Sequence, residues 1–291
     1  MSESAKGPVI RDISDTARWV AYYRALETDR PDALFRDPYA RKLAGERGEQ
    51  IVRSLRGGLR MSWSMIVRTA LIDEMLQRTL SSEGVDLVLN LAAGLDTRPY
   101  RLPLPAALQW VEVDLPEMIG YKSEMLAQET PRCRLERVSL DLSDEAKRRE
   151  LFARLDGNCR CAFVITEGLL SYLDDEQVAG LTRDLHACGH FQFWLTDLAS
   201  PKVRQVMNRY WGKQLRAANA PMKFAPEAGE EFFRPHGWEP AEFRGFFQAS
   251  RELNRPMPRD WMIRLWAKLM PRRTAKMMKL WRTGTVLFRR A

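Results

Sequence analysis

The sequence contains few of the residues that build metal centres and disulfide frameworks. Among its 291 residues there are only three histidines and four cysteines. The cysteines form no C-x-x-C pair, and the histidines are not spaced with them as zinc ligands would be. We therefore expect reduced thiols and no structural zinc.

Long apolar segments are absent as well. No stretch of about 18 uncharged apolar residues occurs, as a membrane-spanning helix would require. Residues 1–15 contain no apolar core of signal-peptide length. We therefore predict a cytoplasmic protein, and an apolar content of 45% is enough for the full core of a globular domain.

Two phosphate-binding signatures are also missing. The sequence contains neither G-x-G-x-x-G nor the P-loop pattern, in which a glycine-rich turn brings backbone N–H groups against phosphate oxygens. A site for the pyrophosphate of a dinucleotide is therefore unsupported, which argues against a nicotinamide-dependent dehydrogenase.

Positive charge is unevenly distributed along the chain. The net charge is +8, but residues 251–291 hold twelve Arg or Lys and two acidic residues, a balance of 12 − 2 = +10. The first 250 residues therefore carry 8 − 10 = −2. Such a basic segment can contact RNA, an anionic membrane or an acidic substrate. We favour a solvated helix face and expect no nucleic-acid partner.

Within this basic segment, residues 260–282 combine Trp, Met and Leu with basic residues at helical spacing. The interpretation we favour is packing onto the core with the basic side outward. A lid over a large apolar substrate comes second. Contact with a membrane surface is a third interpretation, which we do not favour.

The first 80 residues have helical periodicity. Apolar residues recur at helical spacing over 16–26, 37–45 and 61–80, and the second of these helices has Pro38 in its first turn and Gly45 at its end. We predict that residues 1–80 form an N-terminal helical cap that is part of the same domain as the rest of the chain.

From residue 81 onward, short apolar runs alternate with helical segments. The runs that predict strands are 85–93, 108–115, 135–142, 161–170 and 191–198, with a last, antiparallel strand at 283–290. Strands alternating with helices predict a doubly wound parallel α/β sheet. Residues 81–291 would form this α/β domain, ending in a basic helical segment.

Small and acidic residues follow the predicted strands. In an open parallel sheet, ligands bind outside the carboxyl ends of the strands, where Ala92 and Gly94 would let the backbone close on a ligand. Glu112 and Asp114 end the second strand on one face, and Asp114 lies 20 positions beyond Gly94, a spacing that suits a carboxylate bound to ribose hydroxyls.

Two further carboxylates extend this row. Asp141 follows the third strand and Glu167 follows the fourth, at the same edge of the sheet. A row of anions beside a small loop favours a ligand that carries positive charge, and a sulfonium with an α-amino group is one such ligand.

Four ordered motifs resemble those of the leucine carboxyl methyltransferase family. They are LNLAAGLDTRPYRL (89–102), WVEVDLPEMIGYK (110–122), VSLDL (138–142) and ITEGLLSYL (165–173). Residues 16–45 and 232–238 resemble the family as well, so the likeness covers most of the chain. The family includes bacterial S-adenosylmethionine-dependent O-methyltransferases acting on polyketides and other small molecules. The resemblance therefore implies a class I methyltransferase-like (Rossmann-like) fold and S-adenosyl-L-methionine as cofactor.

The resemblance also implies particular cofactor contacts. Gly94 would face the cofactor, Asp114 would bind the ribose, and Asp141 with Leu142 would hold the adenine. A separate pair would serve the methionine part, with Glu167 near it and Arg68 paired with its carboxylate.

One residue departs from the family pattern. Ala92 stands where the family usually has glycine, and alanine is tolerable there where φ is negative. Nearby Asp96 and Arg98 have two open interpretations, either bracing of the loop by side-chain hydrogen bonds or contact with the substrate.

Methyl transfer from a sulfonium is an in-line displacement, in which orientation of the acceptor oxygen is the main task of the enzyme. A carboxylate acceptor is already ionised, whereas a phenol or alcohol would profit from a general base. Arg24 in the cap could hold an acidic acceptor. The candidates for a base are His236, which we expect nearest the substrate entrance, and His186, His190, Tyr172 and Tyr100.

We therefore predict an S-adenosylmethionine-dependent O-methyltransferase that methylates a carboxyl or hydroxyl oxygen of a small molecule, such as a polyketide-like secondary metabolite. Two alternatives stay open. One is methylation of a macromolecule, either a protein C-terminal carboxylate or tRNA, and the other is a non-catalytic S-adenosylmethionine-binding protein. A roomy apolar pocket beneath the N-terminal cap would favour the small-molecule acceptor.

Overall fold

The computed structural model describes residue 10 and residues 13–291. The chain begins with three long helices, α1 (Ile13–Thr28), α2 (Ala40–Ser54) and α3 (Ser62–Ser82), with a 3-10 turn at Gly58–Met61 before the third. The remaining helices are α4 (Arg98–Arg101), α5 (Pro116–Met125), α6 (Glu145–Asp156), α7 (Asp175–His186), α8 (Pro201–Ala217), α9 (Phe246–Glu252), α10 (Asp260–Leu269) and α11 (Pro271–Leu280). Two further 3-10 segments lie at Leu170–Tyr172 and Gly229–His236.

Seven strands form one sheet. They are β1 (Leu87–Leu91), β2 (Gln109–Asp114), β3 (Arg134–Ser139), β4 (Ala162–Thr166), β5 (Phe191–Ala199), β6 (Trp238–Gly245) and β7 (Thr283–Arg290). Their order is β3-β2-β1-β4-β5-β7-β6; the first five are parallel, and β7 pairs antiparallel with both β5 and β6. The predicted doubly wound parallel sheet and its last antiparallel strand are confirmed.

The centre of the sheet is fully buried. Every residue of β1 and β4 is buried, because helices cover both faces of the parallel part. The chain order reverses between these two neighbouring strands, so their carboxyl ends flank the crevice where ligands of such sheets bind.

Two elements differ from their predicted form. The second helix does not end at Gly45, whose φ of +58° makes a kink, and it continues to Ser54 because Ile51 and Val52 pack into the same core as Leu43. Strand β6 was missed because it contains Pro240, which removes a ladder donor. The proline is tolerated because β6 is the edge strand and has a bulge beside it.

The predicted packing of residues 260–282 onto the core is wrong for most of their large apolar side chains, although the basic side chains face outward as predicted. Trp261 and Leu269 of α10 are 66% and 70% exposed, so much of the apolar surface of this segment faces outward. Only a narrow inner side, with Asp260 and Thr274, is buried. None of the helices in the described part of the chain has the length and apolar character needed to cross a bilayer.

Candidate active site

A cavity of about 880 Å³ opens at the carboxyl ends of the parallel strands. Helices α1 and α3 of the cap bound it on one side, and α10 and α11 bound it on another. The structure places all the predicted cofactor contacts on its wall. These are Arg68, Gly94, Asp114, Asp141, Leu142 and Glu167.

Gly94 and Asp114 form the part of the wall between β1 and β2. The Gly94 N–H donates to Asp114 Oδ2 at 2.6 Å, and the Leu115 N–H donates to Oδ1 at 2.7 Å. Gly94 has φ +47°, and a Cβ built on it would lie 3.3 Å from Cβ of Ala17 in α1. The backbone therefore holds the carboxylate still, and each oxygen keeps a further lone pair for a hydroxyl donor.

Asp114 is also electrostatically unusual. Burial raises its pKa above the ordinary value of an aspartate, and the two backbone N–H groups offset this only in part. Ionising a buried carboxylate with a raised pKa costs stability, so such a group is more often retained for function than for stability.

Asp141 and Leu142 lie in the loop between β3 and α6. Asp141 is exposed and accepts from the Ser143 N–H at 2.9 Å, while Arg148 Nη1 donates to the Leu142 carbonyl at 2.7 Å. The loop is therefore fixed, with an acidic and an apolar side chain on the cavity wall.

Arg68 is held between the ends of β4 and β5. Its Nε lies 3.0 Å from Glu167 Oε1, and its Nη1 donates to Asp197 Oδ2 at 3.2 Å. The Gly168 N–H donates to the other Asp197 oxygen at 2.6 Å. Gly168 has φ +70°, and a Cβ there would come within 3.4 Å of Arg68 Nη1. Sequence reasoning missed Asp197, although it lies near the end of the fifth strand, as Asp114 lies at the end of the second.

Arg98 connects the ion pair of Arg68 and Glu167 to the loop after β1. Its Nε donates to Asp73 at 2.7 Å, and its Nη1 donates to both Asp96 and Glu167 at 2.8 Å. Asp96 also accepts from Asn90 Nδ2 at 2.8 Å. Arg98 is 2% exposed, so the structure supports the interpretation in which Asp96 and Arg98 brace the loop.

The cluster has an excess of negative charge. Four carboxylates (Asp73, Asp96, Glu167 and Asp197) meet three guanidinium groups (Arg68, Arg98 and Arg101), a balance of 3 − 4 = −1. Burial would raise the pKa of Glu167, but Arg98 and Arg68 outweigh it and lower that pKa, so the carboxylate stays ionised. With Asp114 and Asp141 beside it, the wall suits a ligand with a positively charged centre.

Glu112, predicted at the ligand edge, does not reach the cavity. It is fully buried and accepts from Lys122 Nζ at 2.7 Å and from Arg137 Nε at 3.1 Å. The i,i+2 rule correctly puts Glu112 and Asp114 on one face, but helix α5 covers that face at Glu112 and leaves it open at Asp114.

The histidines are not placed for catalysis. All three lie in the described part of the chain, and none lines the cavity. His236, predicted nearest the entrance, has its ring centroid 5.7 Å from that of Phe232, and the edge of the His186 ring packs against Trp238. His190 is exposed and bonded to Asp156. None of these three candidates for a general base therefore lies on the cavity wall.

The two tyrosine candidates for a base and the candidate acceptor-binding residue Arg24 differ in their positions and contacts. Tyr172 lines the cavity, and burial raises the pKa of its phenol. Tyr100 does not line it, and its hydroxyl accepts from Arg137 Nη2 at 2.6 Å. Arg24 lines the cavity but donates to Asp37 at 2.8 Å and to the Leu95 carbonyl at 2.5 Å, so it braces the structure and is not a free arm for a substrate.

Ala92 differs from its expected conformation. Its φ is +53°, in the left-handed region, whereas a negative φ was expected. An alanine pays about 1–2 kcal/mol in this conformation because its Cβ approaches the carbonyl oxygen. The glycine usual at this position in the family would be free of that cost.

Replacing Ala92 with glycine is expected to raise the free energy of unfolding by up to about 1 kcal/mol, because relief of strain exceeds the entropy cost of glycine, about 0.5–1 kcal/mol. Denaturant unfolding measures the change. Ala93→Gly is the control, because Ala93 is buried and has no positive φ, and this variant should be destabilised. Equal losses in both variants would contradict the assignment of strain to Ala92.

Comparison with known proteins agrees with this architecture. The model of the leucine carboxyl methyltransferase family matches residues 17–186. A Streptomyces coelicolor protein is 36% identical over 240 residues, which cover 77% of this chain and 82% of that protein. A Rhodococcus jostii protein is 38% identical over 173 residues, 57% of this chain and 58% of its own length. Both carry the name putative S-adenosyl-L-methionine-dependent methyltransferase.

Two crystal structures share the fold. One is a DUF574 family protein from Streptomyces avermitilis, with a TM-score of 0.59 and 18% identity over 95% of this chain and 97% of that one. The other is a protein from Thermobifida fusca described as a putative methyltransferase, with a TM-score of 0.59 and 14% identity over 97% and 96% of the two chains.

Fold, site and relatives together define a class I methyltransferase that uses S-adenosylmethionine. The chain belongs to the leucine carboxyl methyltransferase family.

Proposed function

We propose that this methyltransferase esterifies the carboxylate of a small, lipophilic acid. The observation that carries the proposal is the cavity itself, which continues from the acidic strand ends to an apolar chamber beneath the cap. A volume of about 880 Å³ is near the upper end of the range for small-molecule sites, about 300–1,000 Å³.

The residues at the strand ends fit the cofactor. Asp114 would bind the ribose, Leu142 and Asp141 the adenine, and Arg68 with Glu167 the charged groups of the methionine part. When bound, the cofactor supplies an electrophilic methyl group on a sulfonium. The chain orients the acceptor oxygen toward that group and excludes water, and such orientation is worth roughly 7–11 kcal/mol in well-aligned cases.

The rest of the wall suits a lipophilic acceptor. Methionine side chains are flexible and polarisable, so a chamber rich in them adapts to ligands of irregular shape. The apolar side chains of this chamber include Trp63, Met65, Met207, Phe246, Phe247, Ile263, Met277 and Met278. A folded protein or tRNA would have to insert an end into this chamber, so the apolar lining favours a small molecule.

Arg60 points to an acidic acceptor. It lines the cavity and is exposed, and of the lining arginines it alone has no carboxylate partner among the residues that the structure describes. An uncompensated guanidinium at an otherwise apolar chamber attracts a carboxylate and can bind it through two N–H groups.

The lack of a suitable base supports the same conclusion. No histidine lines the described cavity, and burial raises the pKa of Tyr172, so its phenol stays protonated at neutral pH. A carboxylate acceptor is already ionised and needs no base, whereas an alcohol would.

Transfer of a labelled methyl group from S-adenosylmethionine tests the proposal. The acceptors are lipophilic carboxylic acids, such as dodecanoate and longer or aryl-substituted acids, beside the matched alcohols and amides. Base-labile methyl esters formed only on the acids would support it. Base-stable ethers on the alcohols would move the reaction to hydroxyl groups, and labelling of protein or tRNA without any small-molecule product would overturn it.

Replacing Arg60 with glutamine is expected to raise KM for the acid about 3- to 5-fold with little change in kcat, because exposed charge pairs contribute up to about 1 kcal/mol. Steady-state kinetics measures both constants. Arg56→Gln is the matched control, because Arg56 is an exposed arginine of the same loop that does not line the cavity. A fall in kcat at constant KM would contradict a role in acceptor binding.

A further inference from the structure

Helices α10 and α11 form a hairpin, residues 260–281, which we call the tail hairpin. Of the eleven large apolar side chains that are exposed in the described chain, eight lie in it. They are Trp261, Met262, Leu265, Trp266, Leu269, Met270, Leu280 and Trp281. Soluble proteins rarely expose apolar groups in such a concentration, and those that do use them to bind a partner or a membrane.

The exposed apolar groups of α10 form a stripe along one side of the helix. Trp261, Leu265 and Leu269 recur every four residues, with Met262 and Trp266 beside them. On the opposite side Asp260 is buried and Ile263 lines the cavity. The stripe therefore faces away from the protein.

The outward side of α11 is basic. Arg272, Lys276 and Lys279 lie on consecutive turns and are exposed, while Met277 and Met278 line the cavity. No carboxylate within the described residues pairs with these three cations, or with Arg264, Lys268 and Arg273 of the same hairpin. An apolar stripe beside six uncompensated cations is the composition of a helix that lies in the interface of an anionic bilayer.

We propose that the tail hairpin docks this protein on an anionic membrane surface. The apolar stripe of α10 enters the boundary of headgroups and acyl chains, and the cations of α11 contact lipid phosphates. The inner side of the same hairpin lines the cavity, and Trp281 both lines it and is 40% exposed. A lipophilic acceptor would then enter the cavity from the membrane, a step that rests on the proposed function.

Charge and composition favour a membrane over other occupants. A second copy of the chain would bring two sets of six uncompensated cations together, and like charges at an interface oppose association. RNA would match the cations, but its bases bind by stacking on aromatic or guanidinium planes and would leave Leu265, Leu269 and Leu280 uncovered. Anionic lipid matches both parts of the hairpin.

Vesicle flotation with the full chain tests the docking. We expect binding to phosphatidylcholine vesicles that contain phosphatidylglycerol, weak binding to phosphatidylcholine alone, and release as salt rises. Trp261→Ser/Trp266→Ser should abolish binding. Lys276→Gln/Lys279→Gln should weaken it about fivefold for each cation removed.

Two matched controls have exposed residues outside the hairpin. Tyr210→Ser removes an exposed aromatic ring, and Lys42→Gln/Lys213→Gln removes two exposed cations, and neither should change vesicle binding. Circular dichroism and titration with S-adenosylmethionine establish that the hairpin variants are folded, which is expected because the substituted side chains are exposed.

The docking proposal is overturned if the wild-type protein does not float with phosphatidylglycerol vesicles, or floats equally after both hairpin substitutions. It is also overturned if the tryptophan substitutions instead dissociate a dimer in sedimentation, or if tRNA binds through the hairpin while vesicles do not. Flotation uses neither cofactor nor acceptor, so its failure leaves the proposed methyl transfer standing, and failure of methyl transfer leaves the docking result standing.

Discussion

Asp114→Asn is expected to weaken S-adenosylmethionine binding about 10- to 100-fold. The carboxylate is held by the N–H groups of Gly94 and Leu115 and faces the cavity with lone pairs left for ribose hydroxyls. A hydrogen bond to a charged group is worth about 1.5–3 kcal/mol, which the neutral amide largely loses. Calorimetric titration of the purified protein measures the change.

The same substitution should stabilise the protein without ligand at neutral pH. Burial raises the pKa of Asp114 in the folded state, so the folded protein holds this proton more tightly than the unfolded chain. The contribution of the protonated Asp114 to the free energy of unfolding is therefore complete at low pH. It is lost as the pH rises through the pKa of Asp114 in the folded protein. The stability gain of Asp114→Asn should appear at pH 7 and vanish toward about pH 4, the range of an unfolded aspartate.

Glu150→Gln is the matched control for this pair of results, because Glu150 is exposed on α6 and does not line the cavity. It should change neither cofactor affinity nor the pH dependence of unfolding. Unchanged S-adenosylmethionine affinity in Asp114→Asn would remove this residue from the cofactor site, whatever happens to stability.

Arg98→Met should lower the free energy of unfolding by about 3–5 kcal/mol, since removing one partner of a buried ionic cluster leaves charges uncompensated. Three carboxylates, Asp73, Asp96 and Glu167, lie within hydrogen-bonding distance of this single guanidinium. Arg154→Met is the control. Arg154 pairs with Glu136 at an exposed site, and loss of such a pair costs under about 1 kcal/mol.

The pH dependence distinguishes this ionic role from simple packing. Burial would raise the pKa of Asp96, but Arg98, Lys122 and Arg101 outweigh it and hold that pKa far below its usual range. The stability that Asp96 gains from these charges is present above the pKa that Asp96 has in the unfolded chain, and it is lost as the pH falls. Arg98→Met should therefore flatten the acid side of the stability profile, whereas Arg98→Lys, which keeps the charge but not the fork, should retain part of it. A decrease in the free energy of unfolding for Arg98→Met no larger than that for Arg154→Met would contradict the proposed ionic role of Arg98.

The sequence carried much of the fold and the cofactor side of the site. The alternation of short apolar runs with helices predicted the parallel sheet, because strands covered on both faces need continuous apolar residues. Asp114, Asp141 and Glu167 could then be placed together, because the carboxyl ends of parallel strands meet at one edge.

The residues around the methyl acceptor could not be predicted from strand ends in this way. Glu112 is removed from the ligand edge by Lys122, and the histidines lie at other borders of the sheet, where spacing along the chain says nothing about distance. The sequence did not indicate Arg60 as a site residue, because its proposed role in binding the acceptor depends on the absence of a carboxylate near it after folding. The outward stripe of α10 had the periodicity of a core helix, and only its position showed that no core covers it.

The sequence by itself thus determined the class of fold and the residues at the strand ends, since both follow from local periodicity and from the direction of parallel strands. The tertiary structure decided which charges are compensated and which apolar faces are covered. Those properties depend on partners far apart in the chain, as Arg68 and Asp197 are, 129 positions from one another. Burial and ion pairing depend on distances between residues in space, and only the folded tertiary structure fixes those distances.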